Sequence, residues 1–195
     1  MPEHPPLVLA SGSNHRRALL ERLLLDFTVD PPEIDESRRP EEQPDHYVSR
    51  LAAEKAATVA ARQPGAVVIG SDQACVRDGH VLGKPGSLEA AREQLLAASG
   101  KTLTFMTGLC VHDTRSDQAV TTVELVRVRF RTLDRGTVER YLSREPALDA
   151  AGSFHSEGLG ISLFQAQESE DPTALVGLPL IALCRMLRSL GYRIP

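Results

Sequence analysis

The sequence predicts an α/β protein with a mixed sheet, and three observations carry that prediction. Leu7–Ala10 and Ala66–Ile69 are short apolar runs of strand length, each closed by a glycine or serine. Segments with helical apolar spacing stand between them, so strand and helix alternate. Two longer Thr- and Val-rich stretches, 101–112 and 118–131, are joined by a short polar turn. They form an antiparallel pair, and the sheet is therefore not purely parallel.

In chain order, residues 7–10 form a buried strand that runs into Ser11-Gly12-Ser13, and 14–25 form a helix. A short strand falls around 27–35 and ends on the acidic turn Ile34-Asp35-Glu36, and Ser37 to Pro44 is a Pro- and charge-rich loop. A long helix covers 44–62 and is stopped by Pro64-Gly65. Strand 66–69 follows, with Gly70-Ser71-Asp72-Gln73 at its C-terminal end. Asp78-Gly79 is a hairpin turn, Gly83-Lys84-Pro85-Gly86 a loop, and 87–98 a helix. After the strand pair come helix 134–143, a loop centred on Gly152-Ser153, a strand at 160–166, and helix 179–190 started by Pro179.

Length and composition bound the function. With 195 residues the chain is one large domain or two small lobes sharing a cleft; we read 1–195 as a single domain. A net charge of −4 gives no general attraction to a nucleic-acid polymer or an anionic membrane. No apolar run approaches the ~20 residues that a bilayer span needs. The opening Met-Pro-Glu-His-Pro-Pro does not read as a signal peptide. Cys75, Cys110 and Cys184 are odd in number and widely spaced, which suits a reducing, cytoplasmic compartment better than a disulfide framework or zinc ribbon.

Chemistry concentrates at a few places. The Ser11-Gly12-Ser13-Asn14-His15-Arg16-Arg17 turn joins a strand to a helix, where free N–H groups and the helix dipole favour an anion. Gly12 permits close backbone approach, and two hydroxyls and two guanidiniums suit phosphate oxygens. The plainer reading is that Ser13 or Asn14 caps the helix and the arginines are solvated. In helix 44–62 the apolar residues Val48, Leu51, Ala52 and Val59 form a stripe on which Lys55 also falls. A lysine there is either paired or bound to a ligand, or it snorkels to the edge. Asp72, beyond a buried strand, has the place of a metal ligand, a general base or a turn cap. With Asp35 and Glu36, at the end of another strand, it makes a set of hard-oxygen groups that suits magnesium beside phosphate, the plainer reading of Glu36 being a solvated acidic turn.

These motifs, taken in order, resemble the Maf family of nucleoside triphosphate pyrophosphatases, and within it the YceF-like branch that acts on 7-methyl-GTP. The resemblance covers roughly residues 7 to 190. It rests on Leu9-Ala-Ser-Gly-Ser13 with Arg16-Arg17, Ile34-Asp-Glu36, Leu51-Ala-Ala-Glu-Lys55, Ile69-Gly-Ser-Asp-Gln73, Gly83-Lys84-Pro85, Thr107-Gly108, Ala151-Gly-Ser-Phe154 with Ser156-Glu157-Gly158-Leu-Gly160, and Val176-Gly-Leu-Pro-Leu180. It implies a two-lobed, mixed-sheet fold of the Maf and inosine triphosphate pyrophosphatase type, with the active site in the cleft, a homodimer, and a divalent metal cation (Mg, Mn or Co).

The implied reaction is hydrolysis between the α- and β-phosphates, giving a nucleoside monophosphate and pyrophosphate. Ser11, Arg16, Arg17, Lys55 and Lys84 match the triphosphate-binding positions, Ser13 sits among them, and Glu36 matches a metal-associated acid. Asp72 matches the proton acceptor for the attacking water and is a base, a metal ligand or both. His15, Gln73 and Glu157 match the base-specificity positions. A carboxylate at Glu157 accepts from guanine N1–H and the 2-amino group, which pyrimidines lack. His15 stands where the branch places Trp and offers less stacking area. A broader or pyrimidine-directed pyrophosphatase, and a non-enzymatic nucleotide-binding regulator of cell division, are the alternatives.

Overall fold

In the computed structural model, which describes residues 4–195, strand β1 (Leu7–Ala10) is buried along its whole length between two parallel neighbours. Residues 1–3, part of the segment weighed above as a signal peptide, lie outside the described residues. An unbroken Leu-Val-Leu-Ala run is what a strand covered on both faces requires. Its neighbours are β2 (Phe27–Val29) and β3 (Val67–Arg77). Helix α1 (Asn14–Glu21) makes the crossover to β2, and α2 (Pro44–Ala60) the crossover to β3.

The rest of the sheet is antiparallel. Strand β4 (His80–Leu82) folds back on the end of β3 through Asp78-Gly79, whose φ angles of 50° and 80° suit a tight hairpin. Helix α3 (Leu88–Ala98) leads to β5 (Thr102–Asp113), and β6 (Gln118–Phe130) pairs with β5 over its whole length. Helix α4 (Arg135–Leu142), a 3-10 turn at Leu159–Leu163, β7 (Phe164–Ser169), a second 3-10 turn at Pro172–Val176 and α5 (Leu180–Ser189) complete the chain. The strand order is β2-β1-β3-β5-β6-β7, with β4 beside β3, so the expected mixed sheet is present.

The pairing register opens a gap in this sheet. On one edge of β3, β1 ends at Ala10 opposite Gly70, and pairing with β4 begins only at Cys75, opposite Leu82. The residues between, Ser71 to Ala74, have no strand beside them on that edge. On the other edge they pair continuously with β5, Asp72 opposite Gly108 and Gln73 opposite Thr107. Asp72 and Gln73 are thus held by a full ladder on one side while the other side opens on a cleft.

Helix α2 lies unusually close to the sheet next to this gap. Its buried face is Val48, Leu51, Ala52, Lys55, Ala56, Val59 and Ala60. Two alanines and two glycines set the spacing: a Cβ at Gly70 would overlap the carbonyl of Ala52, and one at Gly108 the carbonyl of Val48. The helix backbone rests directly on the sheet backbone, and Lys55 is thereby carried to β3. Elsewhere the core is conventional. Leu9, Leu20, Ile69, Leu109, Leu183 and Leu187 pack α1 and α5 against one region of the sheet. Phe105, Phe130, Phe154 and Phe164 meet edge to face, with centroids 5.0 to 5.5 Å apart. Phe154 ties the 149–157 loop into that cluster.

Four sequence expectations are corrected. The first helix stops at Glu21 rather than 25, because Leu24 takes a positive φ of 54° to turn the chain into β2. The strand expected around 27–35 ends at Val29; Pro31 and Pro32 have no N–H to continue a ladder. The strand expected at 66–69 runs on to Arg77, so Asp72 and Gln73 lie inside it and not beyond its end. Continuous pairing with β5 carries the polar residues along. The strand expected at 160–166 is a 3-10 turn followed by β7. The other elements agree within two residues.

The close approach of α2 makes a direct test. Gly108→Ala and Gly70→Ala should each cost at least the ~1–3 kcal/mol of an overpacked core, which lowers Tm by roughly 2–4 °C per kcal/mol in a chain of this size. Gly12→Ala, whose added methyl would meet only Pro31 at 3.8 Å, should leave Tm nearly unchanged in the same melting experiment.

Candidate active site

The gap in the sheet is the floor of a cleft of about 670 Å³, a volume suited to a small-molecule ligand the size of a nucleotide. Its walls are the 10–16 turn, Glu36, Tyr47, Lys55, residues 82–84, residues 149–151 and 154–157, and residues 175–177.

At the floor, Lys55 is 6% exposed and Asp72 8%. The Lys55 ammonium donates to Asp72 Oδ1 at 2.6 Å and lies 2.7 Å from Glu36 Oε1. A buried lysine on an apolar helix face is tolerated because two carboxylates meet it. The pairing reading of Lys55 holds, and the snorkelling one does not. Glu36, by contrast, has a side chain 59% exposed and reaches in from a loop.

That loop is built to hold Glu36 in place. Tyr47 Oη donates to the carbonyl of Glu36, and Arg50 Nη2 to the carbonyl of Ser37. Arg50 also binds Glu42 through two nitrogens, at 2.6 and 2.9 Å, and Glu54 at 3.1 Å. Arg38 donates to the Glu42 carbonyl. Arg50 drives the Glu42 carboxyl down to about 2. Burial, with Asp72 and Glu36 nearby, raises the Tyr47 hydroxyl above its ordinary range. Sequence reasoning missed Tyr47; the available signal was its place eight residues before Lys55 on the same helix.

The strand-to-helix turn behaves partly as expected. Ser13 Oγ accepts from Arg16 N, so Ser13 caps α1 while also lining the cleft. Asn14 and His15 occupy the first two helical positions, whose N–H groups have no intrahelical acceptor. Arg16 is turned inward. Its Nε donates to the carbonyl of Gly177 at 2.8 Å and its Nη1 to Ser11 Oγ at 3.3 Å. Burial lowers its pKa, and Asp72 and Glu36 act against that shift. The Gly177 carbonyl also accepts from Ser71 Oγ, and Gly177 has a φ of 110°. A side chain there would be strained by that φ, with its Cβ in van der Waals contact with Arg16. Arg17 points elsewhere: it is exposed, pairs with Glu21 at 3.0 Å, and does not line the cleft. Lys84 is exposed on the wall.

Gln73 and Glu157 differ in what they have left to offer. The Gln73 amide nitrogen donates to the carbonyls of Ala174 and Leu175 and to Thr107 Oγ1. Two carbonyl acceptors fix the amide orientation, so only Oε1 remains for a ligand. Glu157 Oε1 lies 2.7 Å from His15 Nδ1, which joins the two sides of the cleft mouth. His155 and Asp149, which sequence reasoning did not single out, stand beside them. Of the expected site residues, Ser11, Ser13, His15, Arg16, Glu36, Lys55, Asp72, Gln73, Lys84 and Glu157 share one cleft, and Arg17 does not.

The Maf-like protein family matches residues 6–190. A protein named 7-methyl-GTP pyrophosphatase from Xanthomonas axonopodis pv. citri (strain 306) is 57% identical over 191 residues, which is 98% of this chain and 100% of that protein. One of the same name from Alkalilimnicola ehrlichii (strain ATCC BAA-1101 / DSM 17681 / MLHE-1) is 53% identical over 98% of this chain and 96% of its own. Among solved structures, a HAM1 protein from Coxiella burnetii aligns with a TM-score of 0.56 at 18% identity, covering 94% of this chain and 98% of that one. This last likeness is one of fold.

The Glu42–Arg50 contact sets a pH test for the loop that carries Glu36. Its folded pKa of about 2 lies below the unfolded value of about 4.3. The stability that it contributes is therefore present above about pH 4.3 and is lost as pH falls towards 2. Glu42→Gln should melt below wild type at pH 6, and the difference should close as pH falls from about 4.3 to about 2. A difference that does not depend on pH would remove Glu42 from this role.

Proposed function

The chain belongs to the Maf-like protein family, and on that premise we propose that it hydrolyses the bond between the α- and β-phosphates of 7-methyl-GTP, releasing 7-methyl-GMP and pyrophosphate. The observation that carries this reading is the floor of the cleft. There Asp72, Lys55 and Glu36 form one charge cluster, with Arg16 and the α1 N-terminus on one side and Lys84 on another.

The chemistry follows from what each group can do. Arg16, Lys55, Lys84 and the N–H groups of Asn14 and His15 offer donors to a triphosphate. Water attacks phosphorus, its proton passes to the Asp72 carboxylate, the bridging bond breaks, and pyrophosphate leaves with its charge met by the cations. Asp72 Oδ1 is engaged by Lys55, which leaves Oδ2 for that proton. The lining residues include three cations (Arg16, Lys55, Lys84) and four carboxylates (Glu36, Asp72, Asp149, Glu157). They cannot neutralise a triphosphate by themselves. The two carboxylates that meet at one ammonium are hard-oxygen donors, and they fit a divalent cation such as Mg2+, Mn2+ or Co2+. Held there, it would neutralise phosphate charge and polarise the reacting groups.

At the other end, Glu157 and the free Oε1 of Gln73 are acceptors, which suit the donor-rich edge of guanine and the positive charge of its methylated ring. His15, smaller than the expected aromatic, supports a second reading in which the base is held loosely and a broader range of modified triphosphates is accepted. The proposal includes residues 1–195 acting as one domain in a homodimer, in the cytoplasm. It includes neither a membrane nor a nucleic-acid polymer. A net charge of −4 gives no general attraction to either, and no helix among the described residues is long and apolar enough to cross a membrane. Light scattering tests the dimer.

Steady-state kinetics with Mg2+ tests both ends of the cleft. Asp72→Asn keeps the shape but cannot take a proton; kcat should fall well beyond the tenfold that ~1.4 kcal/mol represents, with nucleotide binding retained. Lys84→Ala should lose roughly 10²-fold, as for other preorganised electrostatic groups. For the base, 7-methyl-GTP should be preferred over UTP in kcat/KM. Glu157→Gln should narrow that ratio by about 10- to 100-fold, the worth of one charged hydrogen bond. Equal ratios in both enzymes would remove Glu157 from base selection, and a wild type that prefers UTP would overturn the substrate.

A further inference from the structure

We propose that the mouth of the cleft is a transition-metal site, with His15, His155 and Asp149 as ligands, Glu157 supporting His15 from behind, and Zn2+ as its ion. One ligand atom from each of the three residues lies within 4.8 Å of the others. A tetrahedral ion with bonds of ~2.0–2.1 Å holds its ligand atoms ~3.4 Å apart, so the three side chains need only draw together on binding.

Two further observations point to a ligand here. His155 Nε2 is a buried ring nitrogen with no hydrogen bond, and Asp149 Oδ1 stands 3.4 Å from it. A buried polar atom left in that state needs a partner, and a cation between the imidazole and the carboxylate supplies one. Secondly, Glu157 Oε1 stands 2.7 Å from His15 Nδ1. A carboxylate on one ring nitrogen fixes the tautomer and leaves the lone pair on the other, Nε2, for a metal. The His15 and His155 rings are neighbours, with centroids 5.5 Å apart and planes tilted by 34°.

The donor set selects the ion. Two imidazoles and one carboxylate suit Zn2+, and a fourth position stays open. The oxygen-only pair Asp72 and Glu36, at the floor, suits a harder ion. The two ends of the cleft would thus sort metals by ligand softness. Because α1 supplies His15 and the opposite wall supplies His155 and Asp149, an ion at the mouth joins the two walls. It also occupies His15 and Glu157, the groups assigned above to the base, so Zn2+ should inhibit in competition with nucleotide. That consequence rests on the proposed function; the binding itself does not.

The experiment is calorimetric titration of the nucleotide-free protein with ZnCl2, in buffer holding excess Mg2+ to occupy the floor, with the visible spectrum of Co2+ as a second readout. One equivalent of Zn2+ should bind, and Co2+ should give the intense absorption of a four-coordinate site. Asp149→Asn, in an exposed side chain that folding does not need, and His155→Ala should each weaken binding by at least about 10-fold. Glu157→Gln should weaken it by roughly 10- to 100-fold, the usual cost of losing such a supporting carboxylate. Zn2+ should raise Tm in wild type and not in Asp149→Asn. Absence of saturable binding, affinity unchanged in both Asp149→Asn and His155→Ala, or binding lost instead in Asp72→Asn would each overturn the site. If Zn2+ binds as described but leaves turnover of 7-methyl-GTP unaffected, the metal site stands and the placing of the base at the mouth falls.

Discussion

The buried ammonium of Lys55 is the constraint around which this site is organised. The helix face that carries it is otherwise apolar, and the helix lies against two glycines of the sheet with no room for a side chain between. A cation at that depth needs compensation by negative charge. Asp72 supplies it from a stretch of β3, Ser71 to Ala74, that is paired along one edge only, and Glu36 from a loop that Arg50 and Tyr47 hold against the same helix. Fold and site thus share a cause. The gap in the β3 edge gives Asp72 access to the cleft, and the glycine contacts bring Lys55 to Asp72.

Such an arrangement is poor at stabilising a protein and well suited to binding a polyanion. A carboxylate held by a lysine is oriented and available, and the ammonium is already desolvated when a phosphate arrives. The cleft is polarised along its length. At the floor Lys55 meets Asp72 and Glu36, with Arg16 beside them, and His15, His155, Asp149 and Glu157 stand together at the mouth. A ligand with a triphosphate at one end and an electron-poor ring at the other matches that polarity.

Much of this was legible in the chain. Periodicity alone placed Lys55 on a buried face, since helical spacing is insensitive to tertiary detail. The family motifs brought ten of the expected residues into one cleft. What escaped the sequence was non-local. Nothing in Gly70-Ser71-Asp72-Gln73 indicates that β5 continues the strand past it, because pairing, not propensity, decides strand length there. Arg17 looks equivalent to Arg16, yet one position of helix rotation turns it to Glu21 and solvent. His155 and Asp149 belong to a loop whose path is set by Phe154 and the aromatic cluster, and no spacing rule reports that.

If the Lys55–Asp72 pair serves the ligand more than the fold, stability and turnover should separate when both partners are removed. The most direct measurement is a double-mutant cycle on Lys55→Met and Asp72→Asn, reading unfolding free energy and 7-methyl-GTP turnover in all four proteins. Each single substitution should destabilise, because Lys55→Met leaves the buried Asp72 without its cation and Asp72→Asn leaves the buried ammonium with Glu36 alone. The double variant should recover stability, with a coupling within the ~0.5–3 kcal/mol typical of residues in contact, and yet remain inactive. Additive losses of stability, or turnover that returns with stability in the double variant, would contradict the account.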